Sequence, residues 1–162
     1  DRVKVGNGLP KFTLSSSQNF RYRNFDLSLF FRGAFGYDIF HIHDFYYANR
    51  NFTGNRLQKA YGKNFKISGN ANPVVCDYFL ERGDYLKLDM ITLGYTLNLQ
   101  KCRFIDRIRV YGTVKNVFTL TKFSGVDPST YEVNGLTPGT FGGGYNYYPS
   151  AFQFILGLQV SF

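Results

Sequence analysis

Residues 152–162 read FQFILGLQVSF, and from Phe154 onward every second residue is apolar: Phe154, Leu156, Leu158, Val160 and Phe162. Gln153, Gly157, Gln159 and Ser161 hold the other register, with Ile155 interrupting it. A period of two marks a strand with one apolar and one polar face. The same pattern runs through 25–40, where Phe25, Leu27, Leu29, Phe31, Phe35, Tyr37 and Ile39 oppose Asp26, Ser28, Arg32, Ala34, Gly36 and Asp38. It predicts further strands at about 11–23, 85–99 and 107–121, with the last at about 152–162. Within 85–99 the phase changes, because Leu86, Leu88 and Met90 are even and Ile91, Leu93, Tyr95, Leu97 and Leu99 odd. One inserted residue, a bulge near Met90, would account for it. In 107–121, Ile108, Val110, Val114, Phe118 and Leu120 oppose Arg107, Arg109, Thr113, Lys115, Thr119 and Thr121.

The connections alternate in length. Turns around Asn24 and over 100–106 are short, whereas 41–84 and 122–151 are long and rich in Tyr, Asn and Gly, with room for one helical turn around Arg56 to Tyr61. The stretches FSGVDPST and TPGTFGGGYNYYPS are turn material, and Asp127-Pro128 reads as a turn, not a catalytic acid. Long amphipathic strands joined alternately by tight turns and long loops describe an antiparallel transmembrane β-barrel sheet, since an extended chain crosses lipid only within a closed barrel. A soluble β-sandwich would have shorter strands and more even loops. Tyr22 and Phe25 beside the first turn, and Tyr37 beside a long loop, fit an interfacial aromatic girdle. Five strands are too few to enclose a lumen, so the rest of the wall is expected from residues outside this chain.

Composition sharpens the picture. There are 18 Phe, 13 Tyr and 17 Gly but no Trp, a balance that favours strands and turns. No window approaches the ~18 to 20 apolar residues of a membrane-spanning helix. The chain opens on Asp1-Arg2-Val3 without an initiator Met or signal sequence, and is read as a processed piece of something larger. The net charge of +8 raises the question of an anionic partner, but Lys and Arg are scattered along polar faces, so no nucleic-acid partner is expected. Cys76 and Cys102 form no metal-type spacing, and would lie too far apart to bridge.

At this point the residues resemble a known family. NFDLSLFFRGAFGYDIF (24–40), DYLKLDMITLGYTLNL (84–99), RIRVYGTVKNVFTLTKFSGVDP (107–128) and YYPSAFQFILGLQVSF (147–162) look like the C-terminal portion of the SusC/RagA-type TonB-linked outer-membrane transporters of Bacteroidetes. Leu93-Gly94-Tyr95, Asn116-Val117-Phe118-Thr119-Leu120-Thr121, Ser124-Gly125-Val126-Asp127-Pro128 and Tyr148-Pro149-Ser150 carry most of the likeness. Phe152 stands where the family often has Arg, and Lys115 where it often has Gln. The resemblance implies the last five strands of a 22-stranded plugged barrel, extracellular loops at 41–84 and 122–151, a SusD-like surface lipoprotein partner, and uptake of oligosaccharides or peptides driven through the TonB complex. The row Phe154, Leu156, Leu158, Val160 and Phe162 resembles the sorting signal read by the outer-membrane assembly machinery.

Candidate functional residues follow from that topology. Tyr46, Tyr47, Tyr145 and Tyr147 would project from the loops, where rings stack on sugars or pack on a lid. Arg32, Arg109 and Lys115 would face the lumen and either guide polar solutes or pair with carboxylates. His41 and His43 beside Asp44 form a pair that lacks a third ligand, so neither a metal nor a cofactor is expected. No nucleophile triad, phosphate loop or paired carboxylates stand out, so the chain is not expected to be an enzyme. Two alternatives remain: a non-transporting outer-membrane barrel or adhesin, told apart by the absence of a plug, and a soluble basic β-domain binding single-stranded nucleic acid, told apart by solubility without detergent.

Overall fold

In the computed structural model, residues 3–48, 53–61, 76–99, 104–130 and 150–162 are described. The first strand, β1 (Phe12–Tyr22), folds back at Arg23 and Asn24 into β2 (Phe25–Phe35). Arg23 takes a φ of 52°, the left-handed backbone that so short a turn needs at one of its residues. β5 (Tyr85–Asn98), β6 (Arg107–Thr121) and β7 (Gln153–Ser161) complete a sheet of order β1-β2-β5-β6-β7. β3 (Asp38–Phe40) and β4 (Leu80–Arg82) form a separate antiparallel ribbon, and helix α1 (Ile42–Tyr47) follows β3. The fold is all-β and mainly antiparallel, with very little helix.

The β6–β7 register displays the face sorting directly. Ile108 lies opposite Val160, Val110 opposite Leu158, Gly112 opposite Leu156 and Val114 opposite Phe154. On the other face Arg107 meets Ser161, Arg109 meets Gln159, Tyr111 meets Gly157 and Lys115 meets Gln153. Ile155, the interruption in the alternation, sits opposite Thr113 on the polar face. The apolar rows are exposed: Leu156 by 71%, Leu158 by 66% and Phe154 by 62%. In water such a contiguous patch would forfeit about 1.5–3 kcal/mol per large side chain. In β5 the phase shifts as the pattern requires, since Asp89 pairs with Arg32 while Thr92, three residues on, bonds Thr113 across the polar face.

The sequence led us to expect one strand over 25–40, and here the structure differs. Gly36 takes a φ of +79°, its N–H is captured by Asp84 Oδ1 at 2.5 Å, and Lys11 fills the space where a side chain would stand. The run therefore breaks into β2 and β3. Tyr37, expected in an interfacial girdle, is instead 2% exposed, and its hydroxyl donates to the Pro128 carbonyl at 3.2 Å. Nor are the loops irregular throughout.

Two compact units result. One comprises Thr13–Gly33, Tyr85–Leu120 and Ser150–Phe162; the other comprises Asp1–Phe12, Ala34–Asp84 and Thr121–Pro149. The second, loop-derived unit has its own core of Tyr37, Ile39, Phe45, Phe79 and Phe123. Phe40, Phe45 and Phe79 pack ring against ring at 5.3–5.9 Å. The turn expected at Asp127-Pro128 is present, with Asp127 Oδ1 accepting the Ser129 N–H at 2.9 Å. Gln58–Tyr61 forms the expected single helical turn.

Candidate functional site

The polar face of the sheet carries a strap of side chains across four strands. Asp26 on β2 and Arg109 on β6 are separated by β5, roughly two strand spacings of about 4.8 Å. They still meet: Arg109 donates from Nε to Oδ1 at 3.0 Å and from Nη2 to Oδ2 at 2.5 Å. This two-pronged pairing is the strongest geometry a guanidinium offers a carboxylate. It passes over Gly94 of β5, where a β-carbon would come within 2.5 Å of Asp26 Oδ1 and 2.7 Å of Arg109 Nη2. Glycine in the Leu93-Gly94-Tyr95 stretch is thus required by the bridge above it.

The Arg109 guanidinium also lies 4.9 Å from the centre of the Tyr111 ring, a cation–π contact. Tyr111 in turn covers Gly157 of β7, where a β-carbon would come within 2.5 Å of the ring's Cζ and Cε1. Beside the strap is a concavity of ≈ 650 Å³ lined by Asn19, Asp26, Ser28, Arg109 and Gln159 among others. Ser28 Oγ donates to Asn19 Oδ1 there at 2.7 Å. A second charged group lies further along: Asp89 pairs with Arg32 and stands 3.8 Å from the Nζ of Lys87, which is only 1% exposed.

The three cations singled out from sequence therefore differ in setting. Arg32 is tied to a carboxylate on the adjacent strand β5 and Arg109 to one two strands away on β2, whereas Lys115 is exposed opposite Gln153. Tyr46 and Tyr47 lie on α1, half-buried, Tyr46 edge-on to Phe45 at 4.9 Å and Tyr47 stacked with His43 at 6.1 Å. Tyr145, Tyr147 and Cys102 lie outside the described residues, and Cys76 is exposed. Phe154, Leu156 and Leu158 are exposed, Val160 is half-buried, and Phe162 follows β7.

The loop unit contains a second polar cluster. The pair His41 and His43 falls at a helix start: His41 caps α1, its Nδ1 accepting the Asp44 N–H at 3.2 Å, and His43 lies within the helix. Glu81 of β4, which nothing in the sequence singled out, arrives beside His41 because β3 and β4 pair Ile39 with Glu81. Burial pushes the His41 imidazole below its ordinary pKa, although Asp44 and Glu81 pull the other way.

No family model matches the chain. Among curated relatives, it is 32% identical over 151 residues to the TonB-dependent receptor SusC of Bacteroides thetaiotaomicron, an alignment covering 88% of this chain and 14% of that protein. It is 30% identical over 181 aligned positions to the TonB-dependent receptor P39 of Formosa agariphila, covering all of this chain and 17% of that protein. The chain belongs to the SusC/RagA type of TonB-dependent receptor. It spans less than a fifth of the length of these relatives. The fold of this SusC/RagA-type chain is similar to the RagAB peptide importer in its closed-closed state, with a TM-score of 0.74 and 23% identity over 96% of this chain and 18% of that one. The RagAB importer in its open-open state gives 0.71 over 94% of this chain and 17% of that one. Among the described residues of the SusC/RagA-type chain, no helix is long and apolar enough to cross a membrane, which says nothing of strands.

Proposed function

We propose that the protein carrying this chain is a bacterial outer-membrane importer, and that the chain supplies the last five strands and two extracellular loops of its plugged, 22-stranded barrel. The observation that carries the reading is the run of similarity to TonB-dependent receptor SusC along 88% of the chain. The geometry supports it. Apolar rows on one face suit hydrocarbon, the strapped polar face suits a watery lumen, and β1 and β7 present open edges for further strands of the wall.

In this reading a SusD-like lipoprotein closes over the loops and TonB supplies the energy through parts of the protein beyond this chain. Oligosaccharides or peptides are the cargo. Arg32, Arg109 and Lys115 line the route; Tyr46, Tyr47, Tyr145 and Tyr147 belong to the rim that meets cargo or lid. The row from Phe154 to Phe162 serves as the assembly signal. The function requires no catalytic step and no cofactor.

The test is uptake in cells with and without the gene, using labelled oligosaccharide and peptide pools, before and after a protonophore. Protonophore-sensitive uptake that disappears with the gene, together with a surface lipoprotein recovered with the detergent-extracted protein, is the expected outcome. Recovery of the protein in the aqueous fraction without detergent, or uptake indifferent to gene and protonophore, overturns the reading.

A further inference from the structure

His41, Asp44 and Glu81 each offer one ligand atom, and these atoms lie within 4.8 Å of one another. Their placement follows from three local features. His41 caps α1, Asp44 occupies its first turn, and Glu81 is carried in by the β3–β4 ribbon, which the His41 N–H extends by donating to the Phe79 carbonyl at 2.7 Å.

Each donor is already oriented. Both oxygens of Glu81 accept from Ser124, at 2.8 Å from its N–H and 2.7 Å from its Oγ, which fixes the carboxylate while leaving lone pairs for a further partner. The His41 ring is 5% exposed, lies 5.3 Å from the Phe123 ring and 6.4 Å from that of His43, and accepts the Asp44 amide at Nδ1. A metal at Nδ1 takes the single lone pair that the Asp44 N–H otherwise occupies, so that amide is released from the cap on binding. Asp44 is 9% exposed; Lys59 pairs with its Oδ2, but its Oδ1 is buried with no hydrogen-bond donor. A buried carboxylate oxygen left so costs free energy that a cation would recover.

We propose that His41, Asp44 and Glu81 hold a divalent transition-metal ion that clips α1 to β4 in the loop unit. The spacing suits such an ion. Asp44 Oδ1 stands 3.4 Å from His41 Nδ1, and two ligands at about 2.1 Å from a tetrahedral centre are themselves about 3.4 Å apart. One imidazole and two carboxylates match Zn²⁺ and its neighbours, whereas Ca²⁺ and Mg²⁺ call for all-oxygen shells.

The experiment uses the full-length protein extracted in detergent, stripped with a chelator and titrated with Zn²⁺ alone, with Co²⁺ as a spectroscopic stand-in. The unaltered protein is expected to bind one more Zn²⁺ per chain than Glu81→Gln, and to show a tetrahedral Co²⁺ spectrum that Glu81→Gln lacks. His41→Gln should weaken binding at least tenfold, and Lys59→Gln should retain or tighten it. A heat-modifiable band in electrophoresis verifies that each variant has folded. Equal Zn²⁺ stoichiometry and affinity in the unaltered protein and in both ligand variants overturns the proposal.

Discussion

At the residue scale, two glycines on the polar face are set by what crosses them. Gly94→Ala puts a methyl group into the Asp26–Arg109 bridge, and Gly157→Ala puts one into the Tyr111 ring. Each is expected to cost about 1–3 kcal/mol through overpacking. In detergent, the temperature at which the folded band converts to the unfolded one should fall for both. Tyr111→Ala should restore much of the loss at Gly157 and none at Gly94, because only the first clash involves that ring. Leu93-Gly94-Tyr95 was legible in the sequence as a family feature, but the reason for its glycine was not. The bridge joins residues 83 positions apart in the chain, and no local pattern records which charge will lie above which glycine.

At the element scale, the period of two in β7 allows a test within one strand. Leu158 faces Val110 on the apolar side, and its neighbour Gln159 faces Arg109 on the polar side. A charge on the lipid face costs about 2–4 kcal/mol at the bilayer midplane. Leu158→Arg is therefore expected to reduce assembled protein in the outer membrane several-fold, while Gln159→Lys leaves assembly close to normal; quantitative blotting of membrane fractions measures both. Equal effects would mean that the two faces meet the same medium. Face sorting could be read directly from alternation, including the change of phase in β5. The end of β2 could not. Tyr37 and Ile39 continue the alternation faultlessly, yet the left-handed backbone at Gly36 and the Asp84 carboxylate turn the chain into another ribbon.

At the scale of the whole molecule, apolar side chains are used in two opposite ways. The sheet unit displays Leu156 and Leu158, whereas the loop unit encloses Tyr37, Ile39 and Phe79. Phe79→Ala removes a ring from a packed aromatic cluster, for a loss of about 3–5 kcal/mol. Faster protease cleavage within 41–84 is expected, with the heat-modifiable band of the barrel retained. Loss of that band would show that the loop unit has no core of its own. The sequence suggested long Tyr-rich loops without this interior, because a hydrophobic cluster assembled from 37–48, 76–80 and 123 has no period to reveal it.

The sequence by itself determined the strands, the chemistry of their two faces, the alternation of tight turns with long connections, and the kinship with SusC. Those properties depend on near neighbours along the chain, where a strand's pleat repeats every two residues. Only the tertiary structure decided that Asp26 reaches Arg109 over Gly94, that the strand from Phe25 stops at Phe35, and that Glu81 joins His41 and Asp44. Each of these depends on which distant segments pair, and pairing follows from summed backbone hydrogen bonds and side-chain packing that no single stretch of the chain contains.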